Sequence, residues 1–164
     1  MKKKLLSMLC MLAILCGLVF TPSVKAEVAG EVMVDGSYLT LLDSSVGTAV
    51  LRTKGVYLME GDASISKSGS NRIYCYASTT ANMTVDYVGV IVYVEQYNDD
   101  TGYWEQIDCW TAEDTNTYYV STSKTLRVDK GYYYRVYAEH IAGPNDGVKD
   151  DGSSLTDGIF IPTT

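Results

Sequence analysis

From Met83 to Trp110 the chain alternates in a way that only extended structure explains. Val88, Val90, Val92 and Val94 fall on one side, and Tyr87, Ile91 and Tyr93 on the other, because strand side chains point alternately to opposite faces. A strand apolar on both faces predicts a central position with cover on each side. Asn98-Asp99-Asp100-Thr101-Gly102 has the length and chemistry of a hairpin turn, and Tyr103 to Trp110 reads as the returning strand.

The same period recurs along the chain. Gly55–Glu60, Ala63–Lys67, Arg72–Thr79, Tyr118–Val120 and Thr125–Val128 read as strands, separated by turn residues. Tyr132 to Ile141 alternates cleanly: Tyr132, Tyr134, Val136 and Ala138 take one face, and Tyr133, Arg135, Tyr137 and Glu139 the other. The charges mark the second face as the solvated one. Residues 142–157 read as a long loop rich in Gly, Asp, Asn and Ser, and Gly158–Pro162 as a closing edge strand. No long apolar stripe of helical period follows residue 26. The pattern predicts an all-β antiparallel sandwich of about seven to nine strands.

The first residues break the pattern. Met1-Lys2-Lys3-Lys4, an apolar run from Leu5 to Phe20 and the sequence Val24-Lys25-Ala26 form a secretory signal peptide over 1–26, cut after Ala26. The apolar run is shorter than the ~20 residues that span a bilayer, so the exported chain is expected to have no membrane anchor. Residues 27–54 are an N-terminal lead-in holding at most a strand pair around Asp35-Gly36, and 55–164 form the sandwich domain. The chain has 13 basic and 20 acidic residues, for a net charge of −7; four of the basic residues and none of the acids precede residue 27, which leaves −11. So acidic a surface disfavours nucleic acid and anionic lipid as partners.

Cys75 and Cys109 are the two cysteines beyond residue 26, both in predicted strands. Export permits a disulfide between them, which in the chain-entropy model would contribute about 3–4 kcal/mol. Two separate buried thiols are the alternative.

The segment Asp129 to Ala138, D-K-G-Y-Y-Y-R-V-Y-A, is similar to strand F of immunoglobulin-like and fibronectin type III domains. That resemblance implies an immunoglobulin-like or fibronectin type III-like sandwich. Arg135 stands where the antibody strand-F cysteine would fall, so a disulfide of antibody type is excluded there. The wider layout adds G-Y-W-E-Q-I-D-C-W, K-G-Y-Y-Y-R-V-Y-A-E-H and T-D-G-I-F-I behind a signal peptide. It resembles a family of small exported proteins of clostridia and related Gram-positive bacteria, a domain of unknown function. The resemblance implies a secreted Gram-positive origin and brings no catalytic residues with it.

Candidate chemistry is sparse. His140 is the single histidine, and no G-x-S-x-G elbow accompanies it. Asp146, Asp150, Asp151 and Asp157 lie in or beside the glycine-rich 143–158 segment and are the candidate ligands for a calcium ion, the one cofactor the sequence suggests. Fourteen tyrosines and two tryptophans stand against two phenylalanines. Tyr133 and Tyr137, on the charged face of their strand, are candidate stacking residues, with Trp104 and Trp110, which a strict period of two puts on one face. The expected function is a secreted, non-enzymatic module that binds an extracellular protein or a cell-surface glycan. A structural or accessory extracellular protein is the alternative, and a secreted hydrolase comes last.

Overall fold

A computed structural model describes residues 32–52 and 55–164. The expected signal peptide and its expected cleavage point lie outside the described residues. Twelve strands form two sheets, with no helix among the described residues: β1 (Val32–Val34), β2 (Ser37–Thr40), β3 (Ser44–Thr48), β4 (Val50–Leu51), β5 (Leu58–Lys67), β6 (Arg72–Val85), β7 (Tyr87–Asn98), β8 (Tyr103–Asp114), β9 (Thr117–Arg127), β10 (Tyr132–Gly143), β11 (Asp150–Leu155) and β12 (Gly158–Ile161). β3, β5, β6 and β9 make the four-stranded sheet, and the other eight strands make the second. The fold is a β-sandwich.

The connections swing between the sheets. β5 and β6 form a hairpin in the four-stranded sheet. The chain then crosses at Asp86 to β7, returns through β8, and crosses back to pair β9 with β6. It crosses once more to pair β10 with β7 over ten residue pairs. Asn116 donates its N–H to the Asp86 carbonyl at 3.4 Å, so the two crossings are tied at one corner. Asn116 itself has φ 53°, a left-handed conformation that asparagine tolerates at a turn.

The core is drawn from both sheets. Val88, Val90, Val92, Val94, Val136 and Ala138 face Ala63, Ile65, Ile73, Cys75 and Ala77 in one buried cluster. Each fully buried valine removes apolar surface worth about 1.5–3 kcal/mol from water. Tyr134 is buried among them, and its hydroxyl donates to the Asp129 carbonyl at 2.8 Å, pinning the turn that enters β10.

Several expectations change. The strand pair around Asp35-Gly36 forms as β1 and β2, with Asp35 and Gly36 both at positive φ. The described part of 27–54 is not a separate lead-in, because β2 pairs with β12, β3 with β5 and β4 with β11. The strands number twelve rather than seven to nine. β9 is one continuous strand through Ser121-Thr122-Ser123, where a turn was expected, since β6 supplies its partners. Residues 150–155 are strand rather than loop, paired on one side to β10 and on the other to β4.

Candidate functional site

β7 and β10 are the innermost strands of the eight-stranded sheet, and their outward faces are aromatic. The Tyr93 and Tyr137 rings lie side by side, centroids 5.5 Å apart and tilted by 31°. The cross-strand register places them directly opposite each other. Arg52 donates to the Tyr137 hydroxyl at 3.3 Å, and that hydroxyl donates to Glu139 at 3.1 Å. Arg52 also pairs with Asp151 at 3.5 Å. At the upper end Tyr87 donates to Glu113 at 3.0 Å, and the Lys149 ammonium sits 5.6 Å from the Tyr87 ring. The pair is half-exposed. The cover expected on both sides of β7 exists only on its valine side.

Electrostatics follow from this layout. Burial, then the Glu139 carboxylate, push the Tyr93 hydroxyl above its ordinary pKa. Burial, then the hydrogen bond to Glu139, do the same for Tyr137. Both phenols therefore stay neutral and act as hydrogen-bonding groups at the edges of apolar rings.

Below this pair the face is closed. Trp104 packs against Tyr97 with centroids 5.4 Å apart, and its indole Nε1 donates to the Val34 carbonyl at 3.1 Å. The Arg135 guanidinium lies 4.3 Å from the centre of the Trp104 ring. It donates to Glu95 at 2.6 Å, to the Asp35 carbonyl at 2.8 Å, to Ser37 Oγ at 3.1 Å and to the Asp35 carboxylate at 3.3 Å. Arg135, expected on the solvated face, is only 4% exposed because the β1–β2 turn and Trp104 cover it. Tyr133 stacks on Phe160 at 4.9 Å, on the same outward side.

The four aromatic candidates therefore divide. Tyr133, Tyr137 and Trp104 share the outward face. Trp110 does not: it sits opposite Val92, packs against the core and donates to Thr122 at 3.0 Å. A β-bulge causes the split. Val94 pairs with Asp108 and Glu95 with Gln106, so Ile107 is an extra residue that reverses the alternation between the two tryptophans. Tyr93, Arg52 and Glu139, which the sequence does not single out, complete the upper site together with Asp151, expected as a calcium ligand and instead paired with Arg52. The Tyr–Arg–Tyr–Glu alternation of β10 signalled the face, but only the register reveals what lies beside it.

The aspartates of the expected calcium site are scattered. Asp150 is buried and accepts the backbone N–H groups of Tyr57 and Leu58 at 2.5 and 3.1 Å. Asp151 pairs with Arg52, Asp157 accepts the Tyr38 N–H at 3.1 Å, and Asp146 is exposed in the loop. Placing 150–155 in a strand sends successive side chains to opposite faces, so the set cannot converge. No group of three or more His, Cys, Asp or Glu among the described residues has metal-binding geometry. The expected disulfide is also absent: Cys75 is buried in the core of the four-stranded sheet, and Cys109 is exposed on the outward face of the other.

His140 is sealed between the sheets. Its Nδ1 is 2.9 Å from Thr79 Oγ1 and its Nε2 is 2.8 Å from Ser154 Oγ. Thr79 spends its own proton on the Gly89 carbonyl at 3.0 Å, so Nδ1 carries the hydrogen and Ser154 donates to Nε2. Burial lowers the imidazole pKa from 6.5 to about 4.

A model of a family of unknown function, DUF6147, matches residues 26–157. The chain belongs to that family. No curated protein matches it. The DUF6147 match takes in β1 to β11, and with them the Tyr93–Tyr137 pair, the Arg135 cluster and the buried histidine.

Proposed function

We propose that this DUF6147 protein is an exported, non-enzymatic binding module whose ligand docks on the outward face of the eight-stranded sheet. The observation that carries the reading is the Tyr93–Tyr137 pair, two half-exposed rings on the innermost strands with no layer above them. Aromatic rings ringed by charge, here Arg52, Glu139, Asp151 and Lys149, are the make-up of a protein-binding centre and its polar rim. A protein partner is therefore favoured over a glycan on this face. Export is supported by the signal-peptide pattern of residues 1–26 and by the resemblance to secreted Gram-positive proteins. The non-enzymatic part is supported by His140, the side chain most suited to acid–base work, whose imidazole has no exposure. The alternating crossings of β6 to β10 and the Tyr134–Asp129 corner support a sandwich of immunoglobulin or fibronectin type III kind.

The test compares the full chain with the Tyr93→Ala/Tyr137→Ala variant on arrays of purified extracellular proteins and glycans. The reading expects at least one ligand, protein before glycan, that the variant loses with its melting temperature nearly unchanged. Ligands bound equally by both forms would overturn it.

A further inference from the structure

The outward side of the four-stranded sheet has a different chemistry. The registers of β5, β6 and β9 align Ser66, Tyr74 and Thr125 in one row and Ser64, Tyr76 and Ser123 in the next. A third row holds Asp62, Ser78 and Ser121, and Tyr119 follows beside Thr80. On β5, β6 and β9 every side chain in the first two rows ends in or carries a hydroxyl; at the β3 edge the rows continue to Ser44 and to the exposed Val46. Asp62 is the single charge among the three rows, in a chain of which 20% of residues are charged. Arg72 and Arg127 pair at one end of this face and Glu60 stands at the other, so the charges mark its borders.

A solvated sheet face is ordinarily kept soluble with lysine and glutamate. Here hydroxyl-bearing positions repeat at about 4.8 Å across the strands and about 6.8 Å along them, with the tyrosines of β6 reaching beyond the serines and threonines on either side. Tyr74 and Tyr119 are 38% and 41% exposed, and the Tyr76 and Tyr119 hydroxyls are 2.8 Å apart, which holds two rings in place. Serine and threonine lose little rotamer freedom when a ligand orders them. Charge is confined to the ends of the face and the one large aliphatic side chain in line with its rows is Val46 at the β3 edge, so its centre lacks the apolar anchors that a protein partner uses. Its three rows offer no cation to an anionic polymer, since the two arginines stand only at one end. What it matches is a ligand with hydroxyls at its edges, apolar C–H faces for the rings, and no charge.

We propose that this face binds an uncharged polysaccharide lying flat across β5, β6 and β9. The sandwich then has two working faces, one for an aromatic and charged contact and one for a neutral glycan chain. The two readings stand apart, because their residues lie on different sheets.

The test is adsorption of the full chain to insoluble β-1,4-glucan, β-1,3-glucan and chitin. Retention on at least one is expected, and raised salt should leave it intact because no ion pair is involved. Ser64→Lys/Ser123→Lys places two charges in the centre of the face and should weaken retention about tenfold or more. Tyr119→Phe removes one hydroxyl with the ring in place, and should weaken it less than Tyr119→Ala. Tyr103→Ala, which removes an exposed ring at the start of β8 on the opposite sheet, should change nothing. Melting temperatures report whether the lysine variant folds, and the Tyr119 pair carries the test if it does not. No retention on any of the three polymers, retention lost in raised salt, or retention equal in all the variants of this face would overturn the proposal.

Discussion

His140 Nδ1 meets Thr79 Oγ1 at 2.9 Å, and this bond joins the two sheets through the middle of the core. The ring is held neutral, because burial lowers its pKa from 6.5 to about 4, with Asp62 opposing the shift. Asp62, on β5, is the charged group whose field reaches the ring. Protonation would put a cation on Nε2 and break the bond that Ser154 donates there. The folded state therefore binds fewer protons than the unfolded state between about pH 4 and 6.5. Stability is complete above that window and falls as the pH drops through it. A shift of this size corresponds to about 3 kcal/mol. Urea unfolding from pH 7.5 to 4.5 should show this slope, and His140→Gln, although less stable at neutral pH, should lose that part of it. An identical slope in both proteins would mean that other groups carry the acid sensitivity.

Gly61 runs directly over the His140 ring. A β-carbon added there would collide with the ring's Cγ and Cδ2. Neither partner can yield, since the imidazole is fixed at both nitrogens and Gly61 is paired to Thr79 in the ladder. Gly61→Ala is therefore expected to destabilise by about 2–3 kcal/mol, at the upper end of overpacking. Chemical denaturation measures it. A loss below about 0.5 kcal/mol, the range of a neutral surface change, would show that the two sheets part more easily than their packing implies.

The two thiols should differ sharply. Burial pushes Cys75 up to about 12, while Cys109 stands exposed opposite Tyr93. The thiolate is the reactive form, so in a chain starting at Glu27, without Cys10 and Cys16, a thiol reagent at pH 8 should modify one cysteine in the native protein and two in denaturant. Zero in both conditions, restored by a reductant, would mean that the cysteines are bridged after all.

The parts that were legible in the sequence are those where local pattern and tertiary context agree. The β7–β8 hairpin could be read because four alternating valines and a five-residue polar turn each point to it, and the register bears it out. Trp104 and Trp110 are put on one face by the sequence and stand on opposite faces, because counting by two fails across a bulge and Ile107 has no sequence mark. β11 reads as loop in the sequence because Asp150-Asp151-Gly152-Ser153-Ser154 has poor strand propensity; its partners on β10 and β4 override that. The binding face was half legible for a similar reason. Tyr137 announced itself within β10, whereas Tyr93, 44 positions earlier, becomes its neighbour only through the register.

Arg135 supplies the last prediction. It lies on the outward face, yet Trp104, the Glu95 carboxylate and the β1–β2 turn enclose it, and four hydrogen bonds engage all three nitrogens of its fork. Lysine would keep the charge but lose the planar stack on the indole and at least one of the bonds to Asp35 and Ser37. Arg135→Lys should cost about 2 kcal/mol and loosen the β1–β2 hairpin. Arg135→Ala should cost about 3 kcal/mol, since it leaves Glu95 mostly buried without its partner. The hairpin covers Trp104, whose indole donates to Val34, so loosening should expose that ring to a neutral quencher. In a Trp110→Phe background, quenching of Trp104 should rise in both variants while the core stays folded. Lost stability without increased quenching would show that Arg135 supports the sheet alone and that the hairpin is held by β12.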